Sequence, residues 1–369
     1  SLDDFLDLVA ATFKPSEGEQ QQDPQLRLDD EERELGLSNS AAKAVWKVEH
    51  IAERHPALVT YLADFAARGN HLVFLYGNHD AEMFWPEAQE RLADLLVESY
   101  FGGEWVEGIS PEELRSRIRF EPWFFHVPGR IWIEHGNQYD DFSSFDHRLV
   151  PFVPFDRRYV AMPVSHLVIR YFVNRYEGFR SHDKDNWTIT DYARWLREQG
   201  WRNALRIAWL YGSFFVHVWT YADRTRRCDT QALREENDAE LEALAERKGL
   251  DPATLRAVHA ARLRPLETSF WRTLQLSGID RAVVAISTAS AMLAVLVSGV
   301  FVDFASAFEA PTGLGSGARL LLLALLALVG VVLWHAVGRI VAVLAGGPLS
   351  TSVSPKLERG AEELAQILD

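Results

Sequence analysis

Two long apolar segments without a charged residue constrain the fold of this chain more than any other feature of its sequence. Residues 282–302 give 21 consecutive residues without a charge, and residues 320–338 give 19, with His335 near their end. Because a helix needs about 20 apolar residues to cross a bilayer, we interpret both segments as transmembrane helices joined by a hairpin loop. The alternative is a pair of very hydrophobic core helices.

Basic residues near the two predicted spans indicate an orientation. The connecting loop contains Arg319, whereas the outer ends of the hairpin are flanked by Arg262, Arg264, Arg272, Arg281, Arg339, Lys356 and Arg359. Lys and Arg are enriched on the cytoplasmic side of membrane helices. The sequence therefore predicts an integral membrane protein whose soluble domain lies on the cytoplasmic side.

The composition limits the class of partner and the redox chemistry. The 369 residues include 48% hydrophobic ones, enough for a substantial core. A formal net charge of -14 gives no general attraction toward nucleic acid, so no nucleic-acid partner is expected. Cys228 is the single cysteine of the sequence, which excludes an intrachain disulfide framework.

The apolar pattern predicts alternating helices and strands in the first 140 residues. Apolar positions three and four apart indicate helix from Ala41 to Ala67 with an interruption at Pro56. Short apolar runs predict strands at residues 72–76, 118–127 and 130–134. A polar loop or mobile insertion is expected at residues 14–40. Residues 207–222 are apolar but only 16 long, which favours a core or interfacial helix over a spanning one.

The residues Gly77-Asn78-His79-Asp80 directly follow the first predicted strand. Hydrolysis of a phosphate ester at neutral pH needs a strong nucleophile and neutralisation of the phosphoryl oxygens, and two metal ions about 3.5–4 Å apart supply both. The amide oxygen of Asn78 can bind a metal without adding negative charge. His79 can donate a proton to a leaving group. The alternative for any one such residue is a cap or a hydrogen-bonded core group.

This motif resembles the G-N-H-D element of the calcineurin-like metallophosphoesterase family, and two other segments are similar to that family. Asp4-Phe5-Leu6-Asp7 is similar to the D-x-x-D element, although Asp3 stands where the family has glycine. His135 follows an apolar strand and precedes a glycine, as the lone histidine of the family does. The D-x-H and G-H-x-H motifs at the two ends of the family's pattern have no counterpart, so we expect a fragment.

By this resemblance, the chain binds two divalent metal ions, with Mn, Zn, Fe and Mg as the alternatives. Asp4 would bridge both ions, and Asn78 and His135 would ligate the second one. The first ion would lack most of its ligands, because the motifs expected at both ends of the catalytic domain are missing.

The resemblance also implies the catalytic roles. His79 would act on the leaving group, Asp80 would orient His79, and Asp7 would be a further supporting residue. Other candidates come from the residues alone. The residues that could line the pocket are Asp140, Asp141, Asp146 and His147. The residues that could bind substrate phosphate or bilayer headgroups, or could form a solvated helical face, are Arg157, Arg158, Arg170, Arg175 and Arg180.

The resemblance implies an α/β fold, a four-layer sandwich of two mixed sheets flanked by helices. We expect this core at residues 1–140 and its return at residues 355–369. Between them we expect a helical, aromatic-rich insertion at residues 141–281 and the transmembrane hairpin at residues 282–338.

The function implied by the resemblance is metal-dependent hydrolysis of a phosphomonoester, phosphodiester or pyrophosphate, with the enzyme held at the membrane bilayer. A lipid-linked phosphate ester and a soluble nucleotide are both open as substrates, and the oligomeric state is open. The alternative is a non-catalytic membrane scaffold with a degenerate phosphoesterase fold. A transporter is disfavoured, because two spans without internal polar residues offer no pathway.

Overall fold

The computed structural model describes residues 8, 11–102, 108–175, 195, 197–277 and 354–368. The chain divides into two compact units, Ser1–Thr268 with Ser352–Asp369, and Ser269–Thr351. The second unit contributes one described helix, Phe270–Ser277. The predicted spans at residues 282–302 and 320–338 lie outside the described residues.

The helices and strands have the following bounds. The helices are α1 Glu17–Gln22, α2 Asp30–Leu35, α3 Ala41–Arg54, α4 Pro56–Ala67, α5 Pro86–Phe101, α6 Pro111–Ser116, α7 Val164–Tyr171, α8 Gly200–Arg227, α9 Gln231–Lys248, α10 Pro252–Ala260, α11 Phe270–Ser277 and α12 Ser354–Leu368. The strands are β1 Leu72–Leu75, β2 Ile118–Glu121, β3 Phe124–Val127, β4 Ile131–Glu134, β5 Phe152–Val153 and β6 Asp156–Val160.

The helices α3, α4 and α5 form one side of the first hydrophobic core. The predicted interruption at Pro56 is confirmed, because Pro56 is the first residue of α4, where a missing N–H costs nothing. Val48, Val59 and Leu96 are buried in this core together with Leu72 from β1. The core therefore supports the strand that carries the Gly77-Asn78-His79-Asp80 motif.

The predicted four-layer sandwich is wrong, because the described chain is mostly helical and its short strands form only small sheets. Strand β1 pairs in parallel with β2, and β3 pairs with β4 in an antiparallel hairpin. The strands β5 and β6 form a third, two-stranded antiparallel sheet. Strands of two to five residues cannot build two large mixed sheets.

Two segments differ from their sequence-based interpretation for local reasons. The expected single strand at residues 118–127 is broken at Pro122 and Trp123, so its two halves join different sheets. A proline lacks the N–H that a continuous ladder needs. The expected loop at residues 14–40 contains α1 and α2, which begin with the capping boxes Ser16–Glu19 and Asp29–Glu32.

The second core lies between the β3–β4 hairpin and the helices α9, α10 and α12. Trp123 and Phe124 are buried against Leu241 and Leu255, and Leu364 of α12 packs at the edge. The apolar segment at residues 207–222 belongs to α8, where Leu210, Phe214 and Val218 are among its buried side chains. Other residues of α8, Trp201 and Trp209 among them, are exposed.

The prediction of an integral membrane protein with a cytoplasmic soluble domain is corrected by the helices that the structure describes. None of them combines the length and the apolarity that crossing a bilayer requires. The 28-residue helix α8 is long enough, but it carries charged residues at both ends, such as Arg202, Arg206, Arg224 and Arg227.

Candidate functional site

The residues Gly77-Asn78-His79-Asp80 form a closed loop after β1. The backbone N–H of Gly77 donates to Oδ1 of Asp80 at 2.6 Å, which ties the two ends of the loop together. Asn78 is buried, whereas His79 and Asp80 are partly exposed. The loop therefore holds Asn78 inside the protein and leaves His79 within reach of solvent.

His135 follows β4 and lies directly against this loop. The side chain of His135 occupies the space into which a Cβ at Gly77 would project, so a side chain at position 77 would overlap the imidazole. Glycine is therefore required at this position by the close approach of the ring. The structure brings together two elements that are 58 positions apart in the sequence (135 minus 77).

Helix α7 fixes the loop through its first turns. Nε2 of His166 donates to the backbone oxygen of Asn78, and Nδ2 of Asn78 donates to Oγ of Ser165 at 3.4 Å. His166 is 2% exposed. Its bond to the loop had no sequence signal, because residues 78 and 166 meet only in the folded chain.

A buried ion pair anchors the residues that follow the loop. Nζ of Lys47 donates to Oε1 of Glu82 at 2.7 Å and to the backbone oxygen of Leu8 at 3.1 Å. Burial lowers the pKa of Lys47, and the charge of Glu82 opposes that effect. The contact to Leu8 links the loop to the start of the chain, while Asp4 and Asp7 themselves lie outside the described residues.

Helix α12 closes over the segment that follows His135. Nζ of Lys356 donates to Oδ1 of Asp140 at 2.8 Å and to Oδ1 of Asp141 at 2.7 Å. Tyr139 packs against Gly360 so closely that a Cβ there would overlap the Tyr139 side chain. Asp140 and Asp141 therefore serve an ion pair with α12.

A cavity of about 230 Å³ lies beside the loop. Its wall includes His166, which holds Asn78, and the buried pair of Lys47 and Glu82. The aromatic side chains of the wall are Phe155, Tyr159, Tyr171 and Tyr221. The wall also carries charges of both signs, from Arg170, Arg224, Asp29, Glu31 and Glu32. The cavity therefore offers ring surfaces and charged groups next to the candidate site.

Arg148 is a buried cation beside the segment that follows His135, and the sequence did not single it out. Its surface is 5% exposed, and its Nη1 donates to Oδ1 of Asn137 at 2.8 Å. Burial lowers the pKa of Arg148 to about 10, and the nearby charges of Glu134 and Asp80 oppose that effect. A long-range packing arrangement of this kind has no local sequence motif.

The described residues do not by themselves form the dinuclear metal centre that the resemblance implies. Within the described parts of the chain, no group of three or more His, Cys, Asp or Glu side chains is placed to hold a metal ion. His135 lies against Gly77, which precedes Asn78 in the chain, but the predicted bridging ligand Asp4 lies outside the described residues. The prediction of a metal-binding site is therefore corrected for the described residues, which contain no such group of ligands.

The remaining Asp and His candidates near the site have other contacts. Asp146 lies 3.7 Å from Nε2 of His147 and 4.0 Å from Nη2 of Arg262. Arg157 pairs with Glu236, Arg158 with Asp156, Arg170 with Glu31, and Arg175 with Glu34. Arg180 lies outside the described residues. Comparison with known proteins found no matching family model, no matching curated protein and no matching solved structure.

Proposed function

We propose that this chain is a phosphoester hydrolase whose site is formed by the Gly77-Asn78-His79-Asp80 loop and His135. The observation that carries the proposal is the contact between the His135 side chain and Gly77. This contact brings the end of β1 against the end of β4. Two catalytic residues that follow these strands would have to meet at this place. The four-residue motif and the lone histidine are the features that resemble a phosphoesterase.

The exposures of the loop residues suggest a division of roles. His79 is partly exposed, so it can meet the oxygen of a leaving group and give it a proton when the phosphorus–oxygen bond breaks. Asp80 accepts the N–H of Gly77, so its main contribution is to hold the loop. Asn78 is fixed by α7 and keeps the backbone of the loop in one position.

The neighbouring cavity suggests where the organic part of a substrate lies. Pockets for small molecules combine apolar and aromatic walls with a few polar groups, and this cavity has both. His166 connects its wall to Asn78. A phosphate ester bound at the loop would therefore extend its organic part from the loop toward this cavity, while the leaving-group oxygen stays beside His79.

Divalent ions remain part of the proposal as an implication of the resemblance. The resemblance assigns such an ion to Asn78 and His135 together with Asp4, which lies outside the described residues. Such ions would supply Lewis acidity at the phosphoryl oxygens. The contributions derived for His79, Asp80 and Asn78 do not depend on which ion is bound.

The test is hydrolysis by the 369-residue chain. Release of nitrophenol from p-nitrophenyl phosphate and bis(p-nitrophenyl) phosphate, and of phosphate from a nucleotide pyrophosphate, would be measured with Mn²⁺, Zn²⁺, Fe²⁺ or Mg²⁺ added singly. His79→Ala should lower kcat by about 100-fold or more, as loss of a general acid does. His71→Ala is the matched control, because His71 is exposed and precedes the same strand β1.

Two outcomes would contradict the proposal. One is the absence of turnover with every substrate class and every ion. The other is an equal rate for wild type and His79→Ala. Either result would favour the alternative, a non-catalytic scaffold.

A further inference from the structure

Arg148 differs from the other shielded arginines in its lack of an acidic partner. Arg91, Arg117, Arg170 and Arg175 each lie within 4.0 Å of a glutamate oxygen. Arg148 is more buried, yet among the described residues no carboxylate lies within that distance of it. Its Nε, shielded from solvent, has no hydrogen-bond acceptor, a feature that it shares with Nε of Arg262.

A buried charge without a partner is unfavourable, and native proteins rarely keep one without a reason. The bond from Nη1 to Asn137 does not supply that reason, because a neutral side chain amide could donate the same bond. Arg262 shows the alternative arrangement. It donates to the backbone oxygens of His259 and Asp146 and has the carboxylate of Asp146 at 4.0 Å.

Arg148 lies close to the candidate site, so its charge can act there. The groups that interact with it electrostatically are Glu134, Tyr76, Tyr139 and Asp80. Tyr76 and Asp80 flank Gly77, Asn78 and His79 in the sequence, and Glu134 directly precedes His135. The guanidinium contacts Asn137, two residues after His135, so it lies beside the segment that carries His135 and interacts electrostatically with the residues that flank the other loop.

We propose that Arg148 binds a tetrahedral oxyanion at this site, the phosphoryl group of a substrate or the inorganic phosphate that is released. The proposal rests on the proposed function. A guanidinium presents several N–H groups in one plane and matches phosphate oxygens better than an ammonium does. A phosphate oxygen would give Nε the acceptor that it lacks and would bring a negative charge into direct contact with the guanidinium.

Binding of inorganic phosphate without turnover tests this inference. Isothermal titration of the 369-residue chain with phosphate, at constant ionic strength and with chloride as the reference anion, should show one site. Arg148→Gln should weaken phosphate binding by at least about tenfold, since hydrogen bonds to charged groups are strong. Arg148→Lys should weaken it less, because the charge stays but the planar fork is lost.

Arg262→Gln is the matched control, because Arg262 is also shielded and its Nε also lacks an acceptor, but a carboxylate oxygen of Asp146 lies 4.0 Å from its Nη2. Its phosphate affinity should equal that of wild type. Equal affinity of Arg148→Gln and wild type would overturn the inference, and so would the absence of phosphate binding by wild type.

A second measurement needs no variant and covers the case in which Arg148→Gln does not fold. A crystal structure of the wild-type chain with tungstate should place an oxygen of the anion within hydrogen-bond distance of Arg148. Tungstate bound only elsewhere would overturn the inference. If phosphate binds at Arg148 but no ester is hydrolysed, the proposed function fails and the anion site stands.

Discussion

Lys356 bridges Asp140 and Asp141 with hydrogen bonds of 2.8 Å and 2.7 Å. This contact joins the last described helix to the segment that follows His135. The three side chains are 18%, 6% and 12% exposed, so the bridge is largely shielded from solvent. It holds the residues next to the candidate site through a part of the chain more than 200 positions away (356 minus 140).

Removing the bridge should destabilise the protein. Lys356→Met leaves two shielded carboxylates close together, and we expect a loss of about 2–4 kcal/mol in the free energy of unfolding at pH 7. Urea denaturation measures this loss. Glu358→Gln, an exposed change on the same helix, should alter the free energy by less than about 0.5 kcal/mol. If Lys356→Met changed the free energy of unfolding as little as Glu358→Gln does, the bridge would not stabilise the protein.

The same bridge predicts a loss of stability at high pH. Burial alone would lower the pKa of Lys356, but the hydrogen bonds to Asp140 and Asp141 outweigh burial and raise it above its usual 10.5. A raised pKa in the folded state means that the stabilisation is complete below pH 10.5 and is lost as the pH rises through the folded pKa. Lys356→Met should lack this part of the alkaline decline.

Gly77→Ala should disturb the site through His135. A Cβ at position 77 would overlap the imidazole, so the ring or the backbone must move, and overpacking of this kind costs about 1–3 kcal/mol. Gly212→Ala is the control, because a Cβ there meets nothing within 4 Å and lies in helix α8. Thermal unfolding should show a lower Tm for Gly77→Ala and an equal or higher Tm for Gly212→Ala. Two equal shifts would count against close packing of His135.

His259 should limit stability in acid. Burial, followed by the charges of Arg262, Arg148 and His147, lowers its pKa to about 3. Between pH 6.5 and about 3 the unfolded chain therefore binds a proton that the folded chain does not. Stability falls with decreasing pH by up to about 1.4 kcal/mol per pH unit for this group.

Replacing His259 by leucine removes this titration. Nδ1 of His259 has no hydrogen-bond partner, and its ring packs against Trp123 at 5.8 Å, so an apolar side chain suits the position. The urea midpoint of His259→Leu should fall less steeply between pH 6.5 and pH 4 than that of wild type. His71→Gln, at an exposed position, should follow wild type. Parallel curves for His259→Leu and wild type would refute the prediction.

Local patterns in the sequence predicted several elements of the fold. The apolar spacing before and after Pro56 predicted α3 and α4, and the run from Leu72 predicted β1. The start of α6 has the same local character, because Pro111 is its first residue and Oγ of Ser110 accepts the N–H of Glu113. These features depend on neighbours within a few residues, which the sequence displays directly.

Features that depend on distant residues were not predictable in this way. The sandwich was expected from a resemblance, yet the break at Pro122 sends β2 and β3 into separate sheets. Within the candidate site, the resemblance assigned Asn78 and His135 to one metal ion, and the structure places His135 against the neighbouring Gly77, but Arg148 and His166 carry no motif. Their roles arise from burial and from contacts across 11 and 88 positions.

The most direct test of whether His135 and the loop form one catalytic site compares kcat/KM for a phosphate ester between wild type and His135→Ala. Both proteins are assayed in the presence of the metal ion that supports the fastest turnover. The account predicts a decrease of about 100-fold or more with an unchanged far-UV circular dichroism spectrum, because His135 and the Gly77-Asn78-His79-Asp80 loop would form one site. An equal kcat/KM for the two proteins would show that the contact between His135 and Gly77 is a packing contact without a catalytic role, and it would contradict the account.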